Sequence, residues 1–561
     1  MKSLAAIALL TVPILAGTSA ASASAMTSTA QAPSVVPHAA ILPAEDDIDA
    51  TDPLPPSGDG ETPAGPVKCA APSRTRVVDG TPTRVSLPPA APFTVGSLGA
   101  RQWKNPPSTD PSWRLGWYSF RWLTPLVQRA VDDGQTASAR VMVEQLLRFY
   151  REYPDPGRAI VGWDEGNSLR RLENLNCIYA LTKDKRLVAA MQTEANVLFG
   201  NRYYGPPYHP VHNHGLMANL RLIEAGTLVG RSDWVTRAQA RVRSEARLAF
   251  SAAGTSNEQS ATYQDINAEM WAQAADTLAR LSPRGEADPT VRQLRATVAR
   301  ARSVAQWLTE PDGNYVQIGD STNTRGKSAP TRTERAFRDN TAGFAAGRWS
   351  WSDPTTTYYT LRYGPARFGH GHPDKGAVTW STAGVRVLVG SGYFGYDTTD
   401  RFVRWQQTPD SSNIAFPVGA TMNRGSMQML SQAVRSGHHV WRVRSNVYPR
   451  THTRSVNVNH RARSITVADH FAGRGAADQV WHLDPAWQLV SAPRNTRVAT
   501  FRHPSGRTLT MRTNGVVASA KRGATNPVAG WNFAKTGSRT AAWELRVRWH
   551  SGSATTTFTV R

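Results

Sequence analysis

The loop RFGHGHPDKG, from Arg367 to Gly376, places two histidines, an arginine, an acid and a lysine between glycines. Imidazoles transfer protons near neutral pH, and glycines let the backbone approach a ligand closely. His370 and His372 are also spaced so that both rings could reach one metal ion from one side of a strand. Because a zinc site uses roughly three or four protein ligands, this pair alone is a weak metal signal.

A second polar cluster lies in YGPPYHPVHNHGLMANL, where His209, His212, Asn213 and His214 immediately precede a predicted helix. An amide and imidazoles at the positive end of a helix dipole suit binding of a carboxylate. The alternative is that Asn213 only caps the helix and that the histidines are ordinary loop residues. The pattern by itself leaves both interpretations open.

Tyr263, in GTSNEQSATYQDINAEMW, follows a polar loop near the start of another predicted helix. A tyrosine there is commonly a partly buried aromatic with a solvated hydroxyl, so it gains a role in chemistry only if the fold brings it to the other clusters. Asp164 and Glu165, in GWDEGN, are adjacent acids. A glycoside hydrolase needs paired carboxylates flanking a cleft, and no second acid motif is evident.

The elements that must position these residues change character along the chain. Helical stripes such as TASARVMVEQLLRFYREY, separated by Gly, Pro or Asn, predict a bundle or toroid of helices in residues 93–340. Alternating strands rich in Val, Thr, Trp and Tyr then predict an antiparallel β-sandwich in residues 341–561.

The N-terminal sequence predicts export. Met1-Lys2-Ser3, the apolar run LAAIALLTVPILAG and the small residues ASASA are typical of a secretory signal peptide over residues 1–25. Residues 26–92 are rich in Pro and Ala, which predicts a disordered leader or linker. No later segment is apolar for long enough to span a membrane. Cys69 and Cys177 could form a disulfide in an exported protein, or Cys177 could be a buried free thiol.

The charge is strongly basic. The 561 residues carry 65 Lys and Arg against 42 Asp and Glu, a net charge of +23. Arginine matches carboxylates, sulfates and phosphates, so we expect a polyanionic partner, although codon usage could also enrich arginine. Nucleic acid is not the expected partner, because basic charge is its only support.

In the order in which they occur, NHG, QSATY and GHGHPDKGAVTWSTAGVRVLVGSG resemble the heparinase II/III-like polysaccharide lyases, over roughly residues 110–550. The resemblance implies an incomplete α/α toroid joined to an antiparallel β-sandwich, with the active cleft between them. It also implies cleavage of acidic polysaccharides by β-elimination rather than hydrolysis.

By this resemblance, Asn213, helped by His214, would neutralise a uronate carboxylate as the intermediate develops. Tyr263 would be the general acid at the C4 glycosidic oxygen, and also the base for one C5 epimer. His370 or His214 would be the base on the other face of the sugar. A tyrosine base needs its pKa of about 10 lowered, which nearby cations could do.

The resemblance further implies substrate contacts by Gln259 and Arg367. Some members use a second tyrosine from the β domain, for which Tyr393 and Tyr396 are the nearby candidates.

Many members also bind zinc through the second histidine of HGH, an aspartate and another histidine. Here His372 is retained, but Gly390 and Ser412 stand at the other positions. We therefore expect this metal site to be absent or severely weakened and assign no cofactor; His470 and His482 are the residues that could substitute.

The sequence thus predicts a secreted polysaccharide lyase acting on a uronic-acid-containing polysaccharide. The alternatives are a non-catalytic acidic-glycan-binding or cell-surface protein on the same fold and, ranked lower, a toroidal glycoside hydrolase. The particular polymer, endo or exo action and the oligomeric state stay open.

Overall fold

The computed structural model describes residues 67, 69, 83–85, 93–95, 111–153, 165–200, 213–326, 332–365, 369–423, 425–491 and 496–561. The predicted signal peptide and most of the predicted leader lie outside the described residues. So do four residues singled out from the sequence: Asp164, His209, His212 and Arg367.

Helices fill the first half of the described chain. Their bounds are α1 Pro111–Tyr118, α2 Thr124–Asp132, α3 Thr136–Glu152, α4 Glu165–Thr182, α5 Leu187–Phe199, α6 Asn213–Val229, α7 Ser232–Glu245, α8 Ala261–Leu281 and α9 Pro289–Trp307. Several successive pairs pack against one another, most extensively α6 with α7 and α8 with α9.

The apolar stripes seen in the sequence form the helical core. In α3, Met142, Val143 and Leu146 are buried in one cluster with Trp117 and Trp234. A second cluster lies between α6, α8 and α9 and includes Leu220, Trp271 and Leu294. Burial of one face of each helix is the arrangement that the periodicity predicts.

Strands form most of the second half. Their bounds are β3 Ala336–Asp339, β4 Phe344–Arg348, β5 Tyr358–Arg362, β6 Val378–Thr382, β7 Val385–Leu388, β8 Ala415–Pro417, β9 Met427–Arg435, β10 His438–Ser445, β11 His452–Asn459, β12 Ser464–Phe471, β13 Ala477–His482, β14 Gln488–Ser491, β15 Val498–Arg502, β16 Thr508–Thr513, β17 Val516–Arg522, β18 Ala524–Thr525, β19 Val528–Ala529, β20 Trp531–Asn532, β21 Thr540–Ala541, β22 Trp543–Trp549 and β23 Ser553–Val560. One short helix, α10 Arg401–Gln406, lies among them.

These strands build three antiparallel sheets of five, eight and four strands, besides two-stranded ribbons. The five-stranded sheet runs β3-β4-β5-β6-β7; the eight-stranded sheet runs β14-β15-β16-β23-β12-β11-β10-β9; the four-stranded sheet runs β17-β22-β13-β8. In β11, buried and half-buried residues alternate, and Val456 pairs with Val467 of β12. Alternation of this kind places one face of the sheet on the core.

Apolar residues from all three sheets meet in one core cluster, exemplified by Trp380, Trp441 and Trp481. Sheets packed face to face around a shared apolar core define a sandwich. The predicted fold class, a toroid-like helical domain followed by an antiparallel β-sandwich, is therefore confirmed.

The structure differs from the sequence expectation at the domain boundary. The last helix before the sheets ends at Trp307, and β3 already begins at Ala336. The segment between them has no α-helix among its described residues, so the helical region is shorter than the predicted 93–340.

The predicted disordered leader, 26–92, also contains ordered features. Cys69 forms a disulfide with Cys177 of α4, which decides between the two fates left open for these cysteines. Strand β1 (Thr83–Val85) pairs antiparallel with β2 (Phe93–Val95). A covalent bond and a strand pair anchor this part of the chain in ways that composition did not reveal.

No helix in the described part of the chain combines the length and the apolar character needed to cross a bilayer.

Candidate active site

Tyr263 and His370 come into direct contact although one lies in the helical domain and the other in the β domain. Tyr263 is the third residue of α8, whose first turn is capped by the Ser260 hydroxyl. His370 lies in the loop between β5 and β6. The two rings stack with centroids 3.4 Å apart and planes 6° apart. The two clusters singled out from the sequence thus meet at one site.

Asn213, the first residue of α6, joins this site through a buried carboxylate. The backbone N–H of Asn213 donates to Glu258 Oε1 at 3.0 Å, and His370 Nδ1 lies 2.6 Å from Glu258 Oε2. Glu258 is only 1% exposed and Asn213 only 9%. The side-chain oxygen of Asn213 is buried and has no hydrogen-bond partner among the described residues, so this oxygen can accept a hydrogen bond from a ligand.

The loop that carries Glu258 is held by the helix that follows it. Gln264 Oε1 accepts from the Ser256 backbone N–H at 2.7 Å, and Gln264 Nε2 donates to the Gly254 carbonyl at 2.8 Å. Asn267 Nδ2 donates to Ser256 Oγ at 3.0 Å. Buried, satisfied amides of this kind fix a loop conformation. The loop therefore presents Glu258 from a rigid support.

The β5–β6 loop is tied to the segment that connects the two domains. The Asp320 backbone N–H donates to the His370 carbonyl at 2.8 Å. A Cβ on Gly319, whose φ is +58°, would lie 2.5 Å from that same carbonyl oxygen. Only glycine permits so close a backbone approach with this positive φ.

Two further tyrosines extend the aromatic group, as the sequence suggested. Tyr396 Oη lies 3.2 Å from Tyr263 Oη, and Tyr393 packs against Tyr396 with ring centroids 4.9 Å apart. Tyr396 is 56% exposed. A tyrosine from the β domain thus reaches the hydroxyl of Tyr263, and Tyr396 is the one placed there.

The pKa of Tyr263 is raised, mainly because burial disfavours the phenolate. The hydrogen bond with Tyr396 opposes this shift, and the carboxylates of Asp320 and Glu258 add to it to a smaller extent. The charge of Arg170 lowers the pKa of Tyr263, but desolvation outweighs it. A protonated phenol at neutral pH is suited to giving a proton.

Two other predicted residues lie beside this group. Gln259 adjoins Glu258, is buried, and has a positive φ of 57°. His214 follows Asn213 in α6 and is half-buried. Arg367, the other predicted substrate contact, is among the residues outside the described ranges, as are His209, His212 and Asp164; for Glu165 only the backbone is described.

The residues at the predicted zinc positions do not fit a zinc ion. His372, Gly390 and Ser412 line one small cavity, but His372 Nε2 lies 2.8 Å from Asp320 Oδ1. Gly390 offers no side chain, and a Cβ there would lie 2.0 Å from the Gln317 carbonyl oxygen. Within the described ranges, no group of three or more His, Cys, Asp or Glu could hold a metal.

The two histidines considered as substitutes lie elsewhere. His470 is exposed and its Nδ1 lies 3.1 Å from the Gly552 carbonyl. His482 is buried and its Nε2 lies 2.8 Å from the Asp410 carbonyl. Neither side chain lines the cavity beside His372.

Sequence reasoning missed Glu258 and Asp320. Glu258 immediately precedes the QSATY motif, and its position there was the one available signal. Asp320 lies in a connecting segment without a motif. Each bonds a histidine of the HGH motif, from 112 and 52 residues away in the chain, and only the fold supplies such pairings.

Comparison with known proteins agrees with the resemblance seen in the sequence. Residues 338–560 match the family described as "Heparinase II/III-like, C-terminal". This match spans the β domain.

Solved structures of similar fold are polysaccharide lyases. A mutant of the heparan sulfate lyase HepC from Pedobacter heparinus is 16% identical, with a TM-score of 0.62, covering 85% of this chain and 81% of that one. A crystal structure of heparinase III is 13% identical, with a TM-score of 0.66, covering 83% and 80%. Similarity at these identities establishes the shared fold. No curated protein sequence matches this chain.

Proposed function

We propose that this protein is an exported polysaccharide lyase that cleaves a uronic-acid-containing polysaccharide by β-elimination and leaves 4,5-unsaturated uronate ends. The observation that carries the proposal is the contact of Tyr263 with His370, linked through Glu258 to Asn213. The likeness to lyase structures supports it at the level of the fold.

Each of the three residues supplies something that the reaction needs. The proton α to a uronate carboxylate is removed only if the developing negative charge is stabilised, which the Asn213 side-chain NH2 group does by donating hydrogen bonds. The imidazole of His370 takes the C5 proton. Tyr263 gives its proton to the departing O4, and its raised pKa keeps the phenol protonated until that step.

The role of Tyr263 as both acid and base has less support. A tyrosine base acts through its phenolate, which burial and the neighbouring carboxylates disfavour. We therefore assign the base to His370 and keep Tyr263 as the acid.

Export and an acidic substrate rest on separate observations. The signal-peptide pattern and the Cys69–Cys177 disulfide both favour an oxidising compartment outside the cytosol. The net charge of +23 favours association with a polyanion.

The test is a screen of the purified protein against polymers that contain glucuronate, iduronate, mannuronate or galacturonate, followed by ultraviolet absorbance. A lyase creates an absorbing C4=C5 double bond conjugated to the carboxylate. New reducing ends without this absorbance would indicate a hydrolase. Binding with neither product would indicate the glycan-binding alternative, and both outcomes would contradict the proposal.

A further inference from the structure

The carboxylate of Glu258 is buried and contacts two of the three residues proposed for the chemistry. We propose that Glu258 is a positioning residue that fixes the His370 ring in the tautomer with its proton on Nδ1, so that Nε2 carries the lone pair that takes the C5 proton. The inference rests on the proposed lyase function, but the tautomer of His370 can be measured whether or not the protein cleaves a polysaccharide.

The tautomer follows from counting donors and acceptors. An ionised carboxylate can only accept hydrogen bonds. One oxygen of Glu258 accepts from the backbone N–H of Asn213, which is always a donor. The other oxygen lies 2.6 Å from His370 Nδ1, so this nitrogen must be the donor. In a neutral imidazole the remaining nitrogen is then the acceptor.

Burial makes this bond decisive for the orientation of the ring. Glu258 is 1% exposed and the His370 side chain 12%, so water competes little for either group. Gly369, with a φ of +55°, lies over the carboxylate, and a Cβ there would lie 3.4 Å from Glu258 Cγ. An imidazole in water exchanges between tautomers, whereas a buried acceptor on one nitrogen holds a single form.

The same carboxylate couples the two domains. Its Asn213 partner begins α6 of the helical domain, and its His370 partner lies in a loop of the β domain. Glu258 therefore aligns the carboxylate-neutralising amide and the base together, without itself touching the sugar.

Glu258→Gln tests the positioning role without changing the packing, because it keeps the size of the side chain and removes one hydrogen-bond acceptor. The single amide oxygen satisfies the Asn213 N–H, and the amide NH2 then faces His370 Nδ1. That nitrogen must accept, which moves the ring proton to Nε2 and removes the basic lone pair. We expect kcat to fall by roughly 10²–10⁴-fold, as when a buried acid orienting a catalytic histidine becomes an amide, with KM changed less than about threefold.

Glu258→Asp keeps both acceptor oxygens on a side chain one methylene shorter, so it should restore part of the lost kcat. Glu269→Gln is the matched control, since it makes the same chemical change on α8 at a surface carboxylate that bonds Arg302. This control should keep the wild-type kcat. Thermal melting of each variant verifies that it is folded.

The deciding measurement is long-range ¹⁵N–¹H correlation on protein labelled at histidine nitrogen, at a pH where the ring is neutral, with His370 assigned from the His370→Gln variant. We expect an Nδ1 proton in the wild type and an Nε2 proton in Glu258→Gln. An Nε2 proton in the wild type, or an unchanged tautomer in Glu258→Gln, would overturn the inference. If no polymer is cleaved, the lyase proposal fails while the tautomer result still decides the role of Glu258.

Discussion

The phenol ring of Tyr263 lies flat on the imidazole of His370, with 3.4 Å between the centroids. A pyranose ring cannot enter a gap of this size, since stacked rings at this distance are already in van der Waals contact. In this arrangement the proposed acid and base approach a bound sugar from one side. Elimination then takes the syn course, in which the C5 proton and O4 leave from the same face.

We expect glucuronate to be preferred over iduronate as the sugar that is cleaved. In D-glucuronate the C5 proton and O4 lie on the same face of the ring, whereas in L-iduronate they lie on opposite faces. Initial rates of ultraviolet absorbance on matched polymers should give a kcat/KM at least about tenfold higher for glucuronate, or ~1.4 kcal/mol in transition-state free energy. Faster cleavage of the iduronate polymer would show that the rings separate on binding.

Tyr263→Phe should remove the general acid while keeping the stacking on His370. Loss of a positioned proton donor lowers kcat by roughly 10²–10⁴-fold, and KM should change little because the ring remains. Tyr179→Phe, which deletes a hydroxyl from a residue packed on the helical core, is the control and should stay active. Steady-state kinetics on the best polymer decide; a kcat within twofold of wild type for Tyr263→Phe would refute the assignment.

His439 should make the β domain less stable in acid. It is buried, its Nδ1 lies 2.8 Å from Tyr359 Oη, and its ring stacks on Trp349. Burial, assisted by the positive charges of His438, Arg335 and His460, lowers the pKa of His439 from 6.5 to about 4.

The sign of the effect follows from the two states. The unfolded chain binds this proton below about pH 6.5 and the folded chain only below about pH 4, so stability falls as the pH drops between these values. The shift is equivalent to ~3 kcal/mol. Unfolding curves at pH 7 and pH 4 should show that the free energy of unfolding falls less in acid for His439→Phe than for the wild type. His470→Ala, which changes an exposed histidine, is the control and should behave like the wild type. Equal losses in all three would contradict the prediction.

Reduction of the Cys69–Cys177 disulfide should destabilise the helical domain. The bond closes a loop with a sequence separation of 108, and a cross-link over such a length stabilises by roughly 3–5 kcal/mol, chiefly by restricting the unfolded chain. Denaturant unfolding with and without reductant measures this. The double variant Cys69→Ser, Cys177→Ser should have the same free energy of unfolding as the reduced protein, and reductant should not change it. A reductant effect that persists in this variant would show that the loss of stability does not come from this disulfide.

Chelation should leave the protein unchanged. His372 is bonded to Asp320, and neither Gly390 nor Ser412 supplies a zinc ligand of the expected kind. We expect less than about 0.1 zinc per chain by elemental analysis, and the same melting temperature and activity with and without EDTA. Loss of stability in EDTA that zinc restores would disprove this.

Asp320→Ala should lower the free energy of unfolding by about 1–3 kcal/mol, because it leaves the buried His372 nitrogen without its partner.

Much of the site could be predicted from the sequence because its residues lie in short motifs whose order is specific. Asn213, Tyr263 and His370 were identified this way, and the structure connects them. Glu258 could not be assigned a role, because an acid in a polar loop has no periodicity, and its value depends on a histidine 112 residues away.

The electrostatics of Tyr263 could not be predicted from the sequence for a related reason. The net charge of +23 describes the whole chain, but the pKa of one phenol depends on its local burial, its hydrogen bonds and the carboxylates beside it. Composition likewise predicted a leader over residues 26–92. It could not show that Cys69 pairs with Cys177, because that contact forms only in the folded chain. The fold class was predictable, since it depends on hydrophobic periodicity over hundreds of residues.

The backbone at Gly390 has a consequence for protein engineering. The Gln317 carbonyl occupies the space that a Cβ at position 390 would need, at 2.0 Å. Installing an aspartate there would push the connecting segment that also carries Asp320 and bonds the His370 carbonyl. A metal centre therefore cannot be grafted by point substitution of Gly390 and Ser412. Such a redesign would have to rebuild residues 317–320 as well, and it would disturb the loop that carries His370 in the process.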